Sequence, residues 1–178
     1  VLFRSLVTGP RGSGKTPLAL DLAAGLLCRD PDPAARPCRA CPSCRKVELG
    51  SHPDLHRIAP EGAGDQIRIA QVTGLIGELV LLPVESRLRV AVIVSADRMN
   101  PDAQNALLKT LEEPVGAACI VLCADDQAPI LPTVISRSAR IRLGTVPAAE
   151  IERLITERGV ADPVRDRKST RLNSSHTD

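Results

Sequence analysis

The feature that most constrains this sequence is a glycine-rich stretch, Gly9–Thr16, which reads Gly-Pro-Arg-Gly-Ser-Gly-Lys-Thr. It matches G-x-x-x-x-G-K-[ST], the pattern of a phosphate-binding loop whose backbone N–H groups surround an anion. The apolar run Leu6–Thr8 predicts a buried strand before it, and the leucine-rich segment Lys15–Cys28 predicts a helix after it. Strand, loop and helix in this order favour a nucleotide site over an ordinary glycine-rich turn.

Six residues of the loop are candidate nucleotide ligands. Lys15 would reach the outer phosphates, and the Thr16 hydroxyl would hold a magnesium ion. Glycines allow the backbone to curl until successive N–H groups face one anion. The predicted nucleotide-binding residues are Gly9, Gly12, Ser13, Gly14, Lys15 and Thr16.

Four cysteines follow the first predicted helix at spacings typical of a metal site. Cys38, Cys41 and Cys44 form a C-x-x-C-x-x-C pattern, and Cys28 lies ten positions before it. Four thiolates can surround a zinc ion tetrahedrally and leave no position open for a substrate, so we expect a structural zinc site. Free buried cysteines are the alternative. The other two cysteines of the chain lie in an apolar run, where we expect core residues.

Strand patterns, which are either apolar runs or alternating apolar and polar residues, alternate with helical patterns along the rest of the chain. The remaining predicted strands are 55–60, 89–94, 118–123 and 139–143. The remaining predicted helices are 67–82, 101–111, 131–136 and 147–158. Strands that alternate with helices indicate an α/β fold with a parallel sheet, and the phosphate site would lie at the carboxyl ends of the strands.

Both ends of the chain depart from this pattern. Residues 1–5 and 166–178 resemble translated sequencing-library adapters, so we leave them out of the fold prediction and expect the natural protein to continue beyond both. A natural disordered tail is the alternative for 166–178. Without both segments, the 23 basic and 21 acidic residues become 19 of each, and the single aromatic residue, Phe3, is lost. A neutral chain without aromatic residues argues against a separate nucleic-acid-binding module.

The composition also bears on the cellular compartment. Apolar runs stay well short of the roughly 20 residues that a membrane-spanning helix needs. Cysteines grouped for metal binding, rather than paired as disulfides, favour a reducing environment. We therefore expect a cytoplasmic protein without a membrane partner.

Three segments in the second half of the chain carry a family resemblance. They are Asp-Arg-Met-Asn at 97–100, Asn-Ala-Leu-Leu-Lys-Thr-Leu-Glu-Glu-Pro at 105–114 and Leu-Pro-Thr-Val-Ile-Ser-Arg at 131–137. Together with the four-cysteine insertion and His-Pro-Asp-Leu at 52–55, they resemble the bacterial clamp-loader ATPases of DNA polymerase III. The resemblance covers nearly all of residues 6–158.

The resemblance implies an AAA+ P-loop core with a five-stranded parallel sheet, a zinc insertion and the start of a helical lid domain. The expected boundaries are 6–145 for the core, 28–50 for the zinc module and 146–165 for the start of the lid. The implied partners are the gamma/tau and delta subunits of the clamp loader. The sliding clamp and primed DNA would be contacted through the assembled complex.

Three departures from an active ATPase favour the delta-prime type of subunit, which the family uses as a stator rather than a motor. Val94 and Ser95 stand where the family has acidic residues that hold magnesium and position water. Ala124 and Asp125 stand where a motor subunit has a threonine or asparagine sensor. Pro17, directly after the loop threonine, has no N–H to offer the α-phosphate. We therefore expect ATP and Mg²⁺ to bind weakly at most, with little hydrolysis.

Ser136-Arg137 resembles the S-R-C motif of the family, although Ser138 stands at its third position. The resemblance implies that Arg137 is catalytic in trans, as an arginine finger that reaches the ATP of a neighbouring subunit. The closest acids in sequence are Asp125 and Asp126, so we expect no internal partner for this arginine. The alternative to the stator is the gamma/tau motor subunit, which hydrolyses ATP itself.

Overall fold

A parallel five-stranded sheet forms the centre of the computed structural model, which describes residues 3–113, 116–145, 147, 149, 150, 152 and 153. Its order is β2-β3-β4-β1-β5, and each neighbouring pair is parallel. The strands are β1 Arg4–Thr8, β2 Leu55–Ile58, β3 Arg89–Ile93, β4 Ala118–Ala124 and β5 Ala139–Arg142. The predicted α/β fold is thereby confirmed. Strand β1 begins at Arg4, inside the segment that was left out of the fold prediction.

Five α-helices accompany the sheet in the part of the chain that is described. They are α1 Lys15–Leu27, α2 Pro42–Glu48, α3 Ile69–Val80, α4 Pro101–Glu112 and α5 Pro132–Ser136. The sequence patterns predicted all of these except α2. This helix has only seven residues, and the three that it buries are Ser43, Cys44 and Val47. A single fully apolar side chain among them is too little to produce a helical periodicity.

Helices cover both faces of the sheet, as a parallel sheet requires. Side chains alternate between the two faces along a strand, so Leu6 and Val7 of β1 enter different apolar clusters. The cluster around Leu6 includes residues of α3 and α4, and the cluster around Val7 includes residues of α1 and α2. Cys119 and Cys123 of β4 are buried in the second cluster, which confirms the prediction that they are core residues.

The sheet order brings three chain segments together at the carboxyl ends of the strands. The phosphate loop follows β1, Asp125 follows β4, and Val94 and Ser95 follow β3. Strand β4 lies between β1 and β3, so Asp125 emerges between the other two segments. This is the position at which parallel α/β sheets bind ligands.

The chain divides into a compact unit of residues 1–144 and a second unit from Thr145 onward. Most of the predicted lid helix 147–158 and all of the segment 166–178 lie outside the described residues. The predicted domain boundaries at 145 and 165 therefore stay predictions. Among the described residues, no helix has the length and apolar character needed to cross a membrane.

Candidate functional site

The backbone of the phosphate loop requires glycine at the predicted positions. Gly12 and Gly14 have φ values of 80° and 86°, a left-handed conformation that other residues rarely adopt. Gly14 is also the residue that caps the N-terminus of α1. A Cβ atom on Gly9 would lie 2.6 Å from the backbone oxygen of Leu143. The loop therefore has the tight curl that the motif predicts.

Lys15 is buried beneath this loop and directed at oxygen atoms of its own chain. Its Nζ lies 2.8 Å from the carbonyl oxygen of Gly9 and 2.7 Å from that of Pro10. It also lies 2.8 Å from Oδ1 of Asp125. The sequence did not predict that Asp125 pairs with Lys15, because nothing local in the sequence links residues 15 and 125.

Asp125 is held in place from several sides. Its backbone N–H donates to Oδ1 of Asp97 at 3.2 Å. One residue earlier, the carbonyl oxygen of Ala124 accepts from the N–H of Gly9 at 3.3 Å. Two residues later, Gln127 Nε2 donates to Oγ1 of Thr8 at 3.2 Å. These bonds fix the end of β4 against the start of the phosphate loop.

A cavity of about 460 Å³ opens beside the loop. Thr16 and Pro17 line it, as do Val94 and Ser95 at the end of β3. Neither Val94 nor Ser95 supplies a carboxylate oxygen for a magnesium ion. The acids in the lining, Asp65 and Asp125, are both paired with basic side chains, namely those of Arg98, Lys15 and Arg11.

The four predicted zinc ligands converge on one point. The Sγ atoms of Cys28, Cys38, Cys41 and Cys44 all lie within 4.8 Å of one another, and those of Cys28 and Cys41 are 4.0 Å apart. Zinc–sulfur bonds of about 2.3 Å in a tetrahedron put sulfur atoms roughly 3.8 Å apart. The residues present thus fit a zinc ion after only a small contraction.

Backbone N–H groups support negative charge on these sulfur atoms. Asp30 N, Cys41 N and Cys44 N each lie 3.4 Å from a cysteine Sγ. Burial alone would raise the pKa of Cys41, but hydrogen bonds from the backbone of Arg29 and Cys44 and from neighbouring thiols lower it to about 6. Burial raises the pKa of Cys44 to about 12, helped by the nearby thiols of Cys41 and Cys28. A bound cation would offset this penalty, because it stabilises every thiolate around it.

The cysteine module, residues 28–50, is attached to the sheet by a buried polar network. Ser43 Oγ donates to the carbonyl oxygen of Leu27 at 2.7 Å and contacts His52 Nε2 at 2.8 Å. The N–H of Asp54 donates to His52 Nδ1 at 3.1 Å, so the proton of the neutral ring is on Nε2. Burial lowers the pKa of His52, which favours this neutral form. His52 therefore connects the module to β2.

Asp54, at the start of β2, is fully buried and accepts three backbone hydrogen bonds. They come from Val84, Glu85 and Ser86 at 2.6, 2.8 and 2.8 Å. Burial would raise its pKa, but these three donors lower it below the usual value. Glu85, thus positioned, pairs with Lys46 and Arg29 of the cysteine module. The segment 52–55 formed part of the family pattern, and the buried contacts of Asp54 were not predicted.

Arg137 follows α5 and has an internal partner, contrary to expectation. Its Nη2 lies 2.6 Å from Oε1 of Glu112 at the end of α4, and its Nη1 donates to the carbonyl oxygen of Thr133 at 3.0 Å. The expectation failed because it considered acids near in sequence, whereas α4 and α5 pack against each other. The side chains of Arg137 and Glu112 are 34% and 50% exposed, so the pair lies at the surface.

Buried Gln104 fixes the segment that leads into α5. Its Nε2 donates to the carbonyl oxygens of Met99 and Pro129, at 3.1 and 2.9 Å. Its Oε1 accepts from the N–H of Leu131 at 2.7 Å. The bonds to Pro129 and Leu131 join α4 to the segment that leads into α5, and the bond to Met99 joins it to the turn before α4. The residue lies between the segments 97–100 and 105–114, which carry part of the family resemblance, and its type alone did not single it out.

Comparison with known proteins identifies the family. The family model described as DNA polymerase III, delta subunit, matches residues 4–147. The chain belongs to the DNA polymerase III delta subunit family. This finding confirms the family that the sequence motifs predicted.

Curated relatives of this DNA polymerase III family member are longer than the chain. DNA polymerase III subunit delta' of Pseudomonas aeruginosa is 41% identical over 132 residues, covering 74% of this chain and 40% of that protein. Subunit delta' of Bacillus subtilis is 35% identical over 156 residues, covering 88% and 46%. The chain thus spans less than half the length of either relative. Proteins named as tau and gamma subunits also match, at 31% and 33% identity.

A solved structure supports the same fold assignment. It is a DNA polymerase III gamma subunit-related protein from Thermotoga maritima, 27% identical, with a TM-score of 0.65. The match covers 87% of this chain and 45% of that one. The predicted AAA+ P-loop core is confirmed for this member of the DNA polymerase III family.

Proposed function

We propose that this protein acts as a delta-prime-type subunit of a bacterial clamp loader. It would help to load the sliding clamp onto primed DNA and would hydrolyse little ATP itself. The observation that carries the proposal is the family match over residues 4–147, with delta' relatives at 35% and 41% identity. The internally paired Lys15 and the missing carboxylates at Val94 and Ser95 support the stator role.

The proposal includes partners, cofactors and compartment. The gamma/tau and delta subunits would be direct neighbours, and the sliding clamp and primed DNA would be contacted through the assembled complex. Zinc would be a structural cofactor of Cys28, Cys38, Cys41 and Cys44, whose sulfur geometry suits it. ATP with Mg²⁺ would bind at Gly9, Gly12, Ser13, Gly14, Lys15 and Thr16, weakly at most. The complex would work in the cytoplasm.

Arg137 would supply the arginine finger to a neighbouring ATPase subunit. A guanidinium is permanently charged and presents a planar set of donors that suits phosphate oxygens. Its present partner, Glu112, is half exposed, and surface ion pairs contribute only about 0–1 kcal/mol. Exchange of this carboxylate for the γ-phosphate of a neighbour would therefore cost little.

The test is Arg137→Ala in the full-length protein, assembled with its partner subunits. We expect assembly to survive and clamp- and DNA-stimulated ATP hydrolysis to fall about tenfold or more, since arginine fingers contribute roughly 10³–10⁵ in rate where they act alone. The matched control is Arg140→Ala, another exposed arginine three positions along the chain. Unchanged hydrolysis in an intact Arg137→Ala complex would remove this residue from the mechanism.

The complete G-x-x-x-x-G-K-T loop favours the gamma/tau motor subunit as the alternative function. The two proposals differ in what the isolated protein does with ATP. A stator should show weak binding in calorimetry and almost no turnover. Robust ATP hydrolysis by the isolated protein would instead establish the motor subunit.

A further inference from the structure

We propose that Asp125 determines whether this phosphate loop accepts a nucleotide, by acting as a built-in competitor of the phosphates for Lys15. The inference rests on the proposed function in treating the loop as a weak nucleoside triphosphate site. It goes further, because it assigns the weakness to one carboxylate that comes from another strand.

The donor count of Lys15 is the first argument. A lysine ammonium group has three N–H donors. Two of them are directed at the carbonyl oxygens of Gly9 and Pro10, which belong to the loop itself. The third is directed at Oδ1 of Asp125, 2.8 Å away. All three donors thus have close partners within the chain. Ser13 Oγ lies farther from Nζ, at 3.5 Å, so Asp125 is the close, charged partner that a side-chain substitution can remove.

The fixed position of Asp125 is the second argument. Its N–H is bonded to Asp97, and nearby Ala124 and Gln127 are bonded to Gly9 and Thr8 at the end of β1. The side chain of Lys15 is only 9% exposed and that of Asp125 is 35% exposed. The carboxylate therefore does not need to be ordered when it pairs with Lys15, and water competes with the pair only weakly.

Charge is the third argument. Arg11, Lys15 and the N-terminus of α1 all favour an anion in this loop. The carboxylate of Asp125 reduces this positive charge, because its Oδ2 also lies 3.9 Å from Nε of Arg11. A bound triphosphate would have to displace the carboxylate from both cations and would then lie beside its negative charge. Removing that charge should therefore strengthen binding of phosphates.

Asp125 could in principle play the opposite part. It lines the same cavity as Thr16, so its carboxylate could hold the magnesium ion of a bound nucleotide in place of the missing acids at the end of β3. The two roles predict changes of opposite sign. A competitor weakens nucleotide binding, and its removal increases affinity. A magnesium ligand strengthens binding, and its removal decreases affinity in the presence of Mg²⁺.

The experiment is Asp125→Asn in the full chain, with ATP binding measured by calorimetry with and without Mg²⁺. A charge-assisted hydrogen bond corresponds to about 10- to 100-fold in affinity, and we expect a gain of this size. Asp126→Asn is the control, since Asp126 is the adjacent exposed acid and its Oδ1 accepts from the N–H of Ala128. It should leave ATP affinity unchanged. Thermal unfolding of both variants checks that the fold is intact.

A double variant tests the mechanism. If Asp125 acts through Lys15, Lys15→Ala combined with Asp125→Asn should lose most of the gain. Equal or weaker ATP binding by folded Asp125→Asn would overturn the inference, as would tight binding by the unmodified protein. The change in affinity caused by Asp125→Asn is separate from the test of the proposed function, which depends on hydrolysis by the assembled complex and on Arg137. Tight ATP binding by the unmodified protein would contradict both.

Discussion

The four-cysteine centre and the phosphate loop are both binding motifs in the sequence, but the chain arranges them in opposite ways. At the cysteine centre, four sulfur atoms converge within 4.8 Å, and backbone N–H groups are directed at them. In the phosphate loop, the key cation is buried and bonded to oxygen atoms of its own chain. The first site is ready for its ligand, whereas the second is already neutralised.

The difference shows what a motif does and does not determine. The four cysteines of the cluster lie between positions 28 and 44, so a short stretch of sequence contains all four candidate metal ligands. The partner that neutralises Lys15 is 110 positions away and arrives only through the pairing of β1 with β4. A motif therefore predicts the groups that can bind a ligand, but not a competitor that the fold brings to them.

The largest expected effect comes from breaking the cysteine centre with Cys41→Ser. We expect bound zinc to fall from one ion per chain to almost none, because a structural site needs all four ligands. Hydrogen exchange should accelerate in residues 28–50, while β3 and β4 keep their protection, since zinc binding is coupled to local folding. Metal analysis and hydrogen exchange by mass spectrometry measure the two results.

Cys119→Ala is the matched control for this experiment. Cys119 is buried in the sheet core and lies outside the four-cysteine cluster. Its removal should cost some stability and leave the zinc content at one ion per chain. Absence of zinc from the unmodified protein purified at neutral pH would contradict the zinc assignment.

Features that depend on neighbouring residues could be predicted from the sequence, whereas contacts between distant residues could not. β1, β3 and β4 were predictable from short apolar runs, and β4 is buried over its whole length. β2 and β5 were predictable from their alternating pattern. The ligand geometry of the cysteines followed from their spacing. Helix α2 was missed because its buried face includes a serine and a cysteine. The partner of Arg137 was missed because Glu112 lies on a different helix.

A second, smaller effect would show how far the cysteine module depends on the sheet beneath it. Asp54→Asn replaces a fully buried carboxylate that accepts three N–H bonds. An amide NH₂ group would face at least one of these donors, so we expect a loss of about 2–4 kcal/mol in the free energy of unfolding. Urea unfolding at neutral pH measures this loss.

The zinc content of Asp54→Asn sharpens the comparison further. The N–H of Glu85 donates to Asp54, and the side chain of Glu85 pairs with Lys46 and Arg29 of the cysteine module. If the metal site is locally complete, the variant should still bind one zinc ion despite its lower stability. The control is Asp21→Asn, which removes an exposed pair with Arg39 and should cost less than about 1 kcal/mol. Loss of zinc from folded Asp54→Asn would mean that the site depends on the sheet.

The smallest effect concerns the pH dependence of stability. It distinguishes protonation of a histidine in the sheet from protonation of the cysteine thiols. His56 of β2 contacts Nη1 of Arg89 at 2.9 Å through Nε2, which must accept because an arginine only donates. Burial lowers the pKa of His56, and the positive charge of Arg89 lowers it further, although Glu78 and Asp54 oppose this. The unfolded chain therefore binds a proton at this position more readily than the folded protein does.

It follows that His56 lowers the stability of the protein as pH falls below about 6.5, the pKa of an unperturbed histidine. His56→Gln keeps an oxygen acceptor for Arg89 but cannot be protonated. We expect the free energy of unfolding to depend less on pH in the variant than in the unmodified protein between pH 7.5 and 5.5. Both proteins carry the same cysteine centre, so thiol titration and zinc release cancel in the difference between them. Identical pH profiles would show that the acid sensitivity of this chain arises elsewhere, and the cysteine centre would then be the first region to examine.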